Sequence, residues 1–170
     1  MYDFAIAAAD KPALYAELAG ALDGLTAGEP DPIANMANAA ALLWQALPDL
    51  NWAGFYRAIG DELVLGPFQG KAACIRIPFG RGVCGAAAAT GTVQTVADVH
   101  AFPGHIACDA ASAAELVVPV FGAGGELIGV LDLDSPTAGR FDAADAEGCA
   151  ALMALLGPRL APLDSGAVTR

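Results

Sequence analysis

Apolar residues recur every three to four positions in KPALYAELAGALDGL, residues 11 to 25, placing Leu14, Leu18, Leu22 and Leu25 on one face of a predicted helix with Gly24 near its end. The same period returns from about 32 to 47 in Ile33, Met36, Ala40, Leu43 and Leu47. From Asn51 the period shortens to two, and NWAGFYRA, DELVLGPF and AACIRIP read as strands set off by the breakers IGDE and QGK, the first two as a hairpin. A short helix around VCGAAAAT, a strand near TVQTV and a long connection, DVHAFPGHIACDAAS, follow. Two apolar strands, AELVVPVF and ELIGVLDLDS, are joined by GAGG. A last helix opens at Asp142, whose side chain can cap it, and turns Cys149, Leu152, Leu156 and Leu160 inward before Gly157 and Pro158 disturb its end. Helices flanking about six strands with tight turns predict an α+β fold: a central, mostly antiparallel sheet with helices packed on it.

The length of 170 residues predicts one domain over 1–170. Although 56% of the residues are hydrophobic, alanine dominates, and no apolar run reaches the roughly 18 residues that span a bilayer. The start, MYDFAIAAADKPALY, has no basic flank before its apolar stretch, so no secretory signal is expected and the cytoplasm is the expected location. A net charge of −11 repels phosphate backbones and anionic lipid, which excludes nucleic acid and membrane surfaces as partners and favours a small ligand or a protein. Four cysteines without a CxxC pair fit a reducing compartment.

The charge is uneven. Residues 71 to 108 hold Lys71, Arg76 and Arg81 against Asp98, net +2 (three minus one), which leaves −13 on the remainder. Cys74, Cys84, Cys108, His100 and His105 all lie in this segment. Its irregular stretch from about 97 to 114 is of a length that usually carries function. Within it Cys108 stands three residues after His105, and His105, Arg76 or Arg81 can favour its thiolate while Asp109 opposes it. GRGVCG matches GxGxxG, but Pro78 interrupts the turn and no acid stands about 20 residues on, so a dinucleotide site is not expected. Its glycines are better read as a tight turn that puts Cys84 at a helix N-terminus, where a thiolate is favoured. Cys149 reads as core filler. Cys74 alternates with Arg76, opposite Ala73, Ile75 and Ile77, and either packing or function fits it. The C-x9-C-x23-C spacing lacks the close ligand pairs of structural zinc, so no metal site is expected.

In LDLDS, Asp132 and Asp134 share one strand face, in line with Ile128 and Val130. They are either a solvated strand end or, with Glu115 on the neighbouring strand, a trio of carboxylates that converges on a cationic group. NWAGFY puts Trp52, Gly54 and Tyr56 on one face, either as core or as an aromatic wall for a soft methyl or sulfur group.

NWAGFY, LGPFQGKAACIRIPFGRGVCG, DVHAFPGHIACDAASAAEL and IGVLDLDS, spread over most of residues 33 to 160, resemble the free methionine-(R)-sulfoxide reductases, a GAF-domain enzyme family. The resemblance implies a GAF-like fold and reduction of free L-methionine (R)-sulfoxide through a sulfenic acid and an intramolecular disulfide, with no bound cofactor and with thioredoxin as external reductant. By motif it implies Cys108 as nucleophile, Cys74 as resolving cysteine and Cys84 as accessory thiol. Trp52 and Tyr56 fall in the family's aromatic pocket, and Glu115, Asp132 and Asp134 fall among its substrate-binding carboxylates, with Glu115 or Asp134 as proton donor. Cys149 has no counterpart, and a homodimer is compatible with the resemblance. The alternatives are a GAF sensor that binds a small cationic ligand without turnover and, third, a metal-stabilised binding module.

Overall fold

The computed structural model describes residues 8, 10–102, 104 and 110–160. Two helices come first, and an aspartate starts each of them. Asp10 accepts from Ala13 N at the head of α1 (Lys11–Thr26), and Asp31 accepts from Ile33 N and Ala34 N at the head of α2 (Pro32–Ala46), with a proline in each first turn. The strands β1 (Trp52–Ile59), β2 (Glu62–Gly70) and β3 (Arg76–Pro78) follow, then helix α3 (Gly82–Thr90) and strands β4 (Gln94–Val96), β5 (Ala114–Phe121) and β6 (Leu127–Ser135). Helix α4 (Ala143–Leu156) closes the order, started by a reciprocal capping box between Asp142 and Asp145. A 3-10 turn, Gly157–Arg159, ends it where the sequence predicts a disturbance. No described helix is long and apolar enough to cross a membrane.

The sheet has six strands in the order β3-β2-β1-β6-β5-β4, and every recorded pairing is antiparallel. Alternation along β1, β5 and β6 divides the apolar residues between two clusters. On one face Phe55, Leu116, Leu131 and Leu133 pack with Leu18, Leu43 and Leu152 from α1, α2 and α4. On the other, Trp52, Tyr56, Val117 and Val130 pack with Val83, Cys84 and Ala87 of α3. Burial of the first face holds the helices in place, and among the described residues the second face has one short helix, α3, above it.

Three expectations are corrected. The strand predicted over AACIRIP shrinks to Arg76–Pro78, because Ala73 and Cys74 both pack against the second cluster while Ile75 is 69% exposed, which breaks the alternation. Ile128 belongs with the first cluster, not with Val130 and the aspartates, because the register of β5 and β6 shifts between Val120 and Phe121. Ile33 lies off the buried face of α2, 38% exposed, while Met36, Ala40, Leu43 and Leu47 are buried as predicted.

Candidate functional site

Strand register builds the acidic group. Glu115 on β5 lies directly across from Asp134 on β6, and Val117 lies across from Asp132. All three acids therefore stand on the face that carries Val117 and Val130, beneath α3. Glu115 and Asp132 are each only 6% exposed, whereas Asp134 is half-buried at the rim. Oδ1 of Asp132 is buried without a hydrogen-bond partner, a costly state for a carboxylate oxygen. Among the described residues no lysine, arginine or histidine pairs with Glu115 or Asp132.

Burial and mutual repulsion then set the protonation of the group. Glu115 is pushed up from 4.5 to about 8 by burial first and the Asp134 charge second, with the Cys84 hydrogen bond acting in the opposite direction. Asp132 is raised well above its usual range by burial and by both neighbouring acids, with a hydrogen bond to Cys84 acting in the opposite direction. At neutral pH the group therefore holds at least one proton.

Cys84 sits in the first turn of α3 and is buried, and its Sγ donates to Glu115 Oε1 at 3.7 Å. The glycines around it do what the sequence reading asks of them. Gly80 N donates to Gly85 O at 2.7 Å, and a Cβ on Gly85 would meet Pro78 O at 2.5 Å, so the turn closes tightly only without side chains there. The expected thiolate is overturned: burial, Asp132, Glu115 and Asp134 raise the Cys84 thiol well above its usual value. A helix terminus contributes about 0.3–1 kcal/mol towards the anion, too little against burial beside three acids.

The aromatic wall forms on β1 and is larger than the sequence reading foresees. Trp52 stacks on Tyr56 at 5.7 Å between centroids and on Phe68 of β2 at 5.2 Å. Trp52 Nε1 donates to the Lys71 carbonyl at 3.1 Å, which fixes the indole. Phe68 lies across from Gly54, where a Cβ would stand 2.7 Å from Trp52 Cη2 and 2.8 Å from Phe68 Cα. That glycine lets two rings lie over bare backbone, and a glycine opposite an aromatic residue is the signal that identifies Phe68. Trp52, Tyr56, Lys71, Ala72, Ala73, Asp132 and Asp134 line a cleft of about 250 Å³, its open mouth included. Cys74 follows directly, half-buried and packed against the same cluster.

Other candidates lie elsewhere. Arg76 pairs with Glu62 on the next strand. Cys149 is fully buried, donates to the Tyr15 hydroxyl at 3.7 Å and is pushed up to about 12 by burial, which makes it the core residue expected. Cys108, His105 and Asp109 lie outside the described residues. The site thus sets a buried acid pushed towards its neutral form and a carboxylate with one unpartnered oxygen beside an apolar wall at a small open cleft.

Comparison with known proteins gives the same direction. The GAF domain family matches residues 36–160. The free methionine-R-sulfoxide reductase of Escherichia coli is 52% identical over 155 residues, covering 91% of this chain and 93% of that one. The free methionine-R-sulfoxide reductase of Saccharomyces cerevisiae is 43% identical over 145 residues, covering 81% of each. Among solved structures, the free methionine-R-sulfoxide reductase of Neisseria meningitidis in complex with its substrate superposes with a TM-score of 0.89 at 48% identity, covering 94% of this chain and 96% of that one.

Proposed function

The chain belongs to the free methionine-R-sulfoxide reductase family of GAF-domain proteins, and from that premise we propose that it reduces free L-methionine (R)-sulfoxide to L-methionine. The observation that carries this reading is the cleft itself, walled by Trp52 and Tyr56 and lined by Asp132 and Asp134, with Glu115 directly across from Asp134 on the next strand. The aromatic faces suit the soft thioether end of the substrate, and Asp132 and Asp134 suit its ammonium. A peptide-bound residue has no α-ammonium to offer the Asp132 oxygen that lacks a partner, so the free amino acid is preferred.

In this reading the thiolate of Cys108 attacks the sulfoxide sulfur while Glu115, or Asp134 across from it, delivers a proton to the oxygen. The S–O bond of the substrate breaks, two electrons pass from the cysteine sulfur to the substrate sulfur, and the oxygen remains on Cys108 as a sulfenic acid. Cys74 then displaces that oxygen as water and forms a disulfide with Cys108. The dithiol of thioredoxin reopens the disulfide by two exchange steps and leaves oxidised. Cys84 acts as an accessory thiol, and its hydrogen bond turns Oε1 of Glu115 towards α3.

The test follows NADPH oxidation in the presence of thioredoxin and thioredoxin reductase, with free R-sulfoxide, free S-sulfoxide and an oxidised protein as substrates. Turnover of the free R form alone is expected, and Cys108→Ser lowers it by roughly a thousandfold or more. Equal turnover of oxidised protein, unchanged turnover in Cys108→Ser, or methionine binding with no turnover at all rejects this reading.

A further inference from the structure

We propose that the reduced protein binds one thiophilic divalent cation, of the zinc and cadmium class, at Cys84, Glu115 and Asp132, and that the bound cation excludes the amino acid from the cleft. One donor atom from each residue lies within 4.8 Å of the others, and all three residues are more than nine-tenths buried. Tetrahedral zinc with Zn–S of about 2.3 Å and Zn–O of about 2.0–2.2 Å holds sulfur and oxygen roughly 3.6 Å apart. The Cys84 Sγ to Glu115 Oε1 separation is 3.7 Å, so little rearrangement is needed at this edge of the site.

The independent observation is the buried Oδ1 of Asp132, which has no hydrogen-bond partner. A carboxylate oxygen in that state is satisfied by a donor or by a cation, and no cationic side chain among the described residues pairs with Asp132. One thiol and two carboxylates select a borderline or soft ion over magnesium or calcium, which require six or more oxygen ligands. Binding displaces the Cys84 proton and forms a metal–sulfur bond without any change of oxidation state. The fourth ligand is water, since Asp132 also lines the open cleft. Spacing along the chain hides this site, because Cys84, Glu115 and Asp132 come from three separate elements and none is near another in sequence.

The cation site itself is independent of the reductase reading; only the exclusion of the amino acid rests on it. The full-length reduced protein, freed of metal, is titrated with cadmium alone, and the ultraviolet thiolate-to-cadmium charge-transfer band and the calorimetric stoichiometry are followed. One equivalent is expected in the wild type and in the Cys74→Ser/Cys108→Ser double variant. The band is lost in Cys84→Ser, and affinity drops at least about tenfold in Asp132→Asn. Far-UV circular dichroism confirms that each variant is folded, and the cadmium-induced rise in Tm seen in the wild type is absent from Cys84→Ser. Free methionine weakens cadmium binding to the wild type. A band that persists in Cys84→Ser, an unchanged affinity in Asp132→Asn, or no binding to the wild type overturns the site. Cadmium binding indifferent to methionine overturns the exclusion. Loss of the reductase reading with the cadmium band intact leaves the cation site standing, so the two failures are distinguishable.

Discussion

Two buried aspartates in this protein face opposite circumstances. Asp145, 1% exposed, is surrounded by donors: Tyr15 OH at 2.9 Å on Oδ1, and Lys11 Nζ at 2.6 Å, Arg140 Nη1 at 3.1 Å and the Asp142 amide at 3.0 Å on Oδ2. Asp132, 6% exposed, is surrounded by other acids and a thiol, and one of its oxygens has no partner. The first arrangement joins α1 to α4 and the loop before α4, and its charge is compensated within the chain. The second leaves compensation to something that arrives from outside. A buried charge satisfied by the fold reads as structure, and one left unsatisfied beside a cleft reads as a binding site.

The largest effect expected from this contrast is in stability. Asp145→Ala removes the common partner of Lys11 and Arg140 and lowers the unfolding free energy by about 3–5 kcal/mol in urea denaturation, with kcat/KM of the folded fraction unchanged. Asp132→Asn is expected to do the reverse. It relieves repulsion between neighbouring acids, so stability holds or rises, while kcat/KM for the free sulfoxide falls by roughly 100-fold, about 2.7 kcal/mol. If Asp132→Asn unfolded the protein as Asp145→Ala does, the distinction between the two sites would be lost.

The acidic group also gives a pH signature of definite sign. The folded-state value of Glu115 is raised from 4.5 to about 8, so between those values the folded protein binds more protons than the unfolded chain. Stability therefore declines as pH rises through that window, by about 2 kcal/mol between about pH 6 and 7.5. Glu115→Gln flattens this slope without abolishing it, because Asp132 is raised too. Denaturation midpoints across the range measure it, and a stability that climbs with pH in the wild type contradicts the raised value.

Much of the frame was legible along the chain, because helix and strand periods are local. α1, α2 and the Asp142 cap of α4 lie where the pattern places them, and the period-two spacing of Asp132 and Asp134 already put them on one face. What was not legible depends on register. The state of Cys84 was misjudged because the helix terminus is visible in six residues, whereas its hydrogen-bond partner Glu115 is 31 residues away. Phe68 was missed because nothing in DELVLGPF separates a wall residue from a core residue until β2 is aligned on β1 opposite Gly54. The broken alternation at Ala73 and Cys74 likewise follows from packing against the second cluster, which no local period reports.

The smallest expected effect separates the uncharged wall from both aspartates. Phe68→Leu keeps apolar bulk beside Trp52 but loses a ring stacked at an interplanar angle of 12°. Aromatic pairs of this kind contribute about 0.5–1.5 kcal/mol beyond their buried area, so the indole is held less firmly and KM rises by about 2- to 10-fold. kcat should change little, since the phenyl ring stands behind Trp52 and is not among the residues that line the cleft. Stability falls by no more than about 1.5 kcal/mol, because Phe68 is only half-buried. Steady-state kinetics on the free R-sulfoxide decide it: a loss confined to kcat would mean that Phe68 acts on the chemistry and not through the position of Trp52.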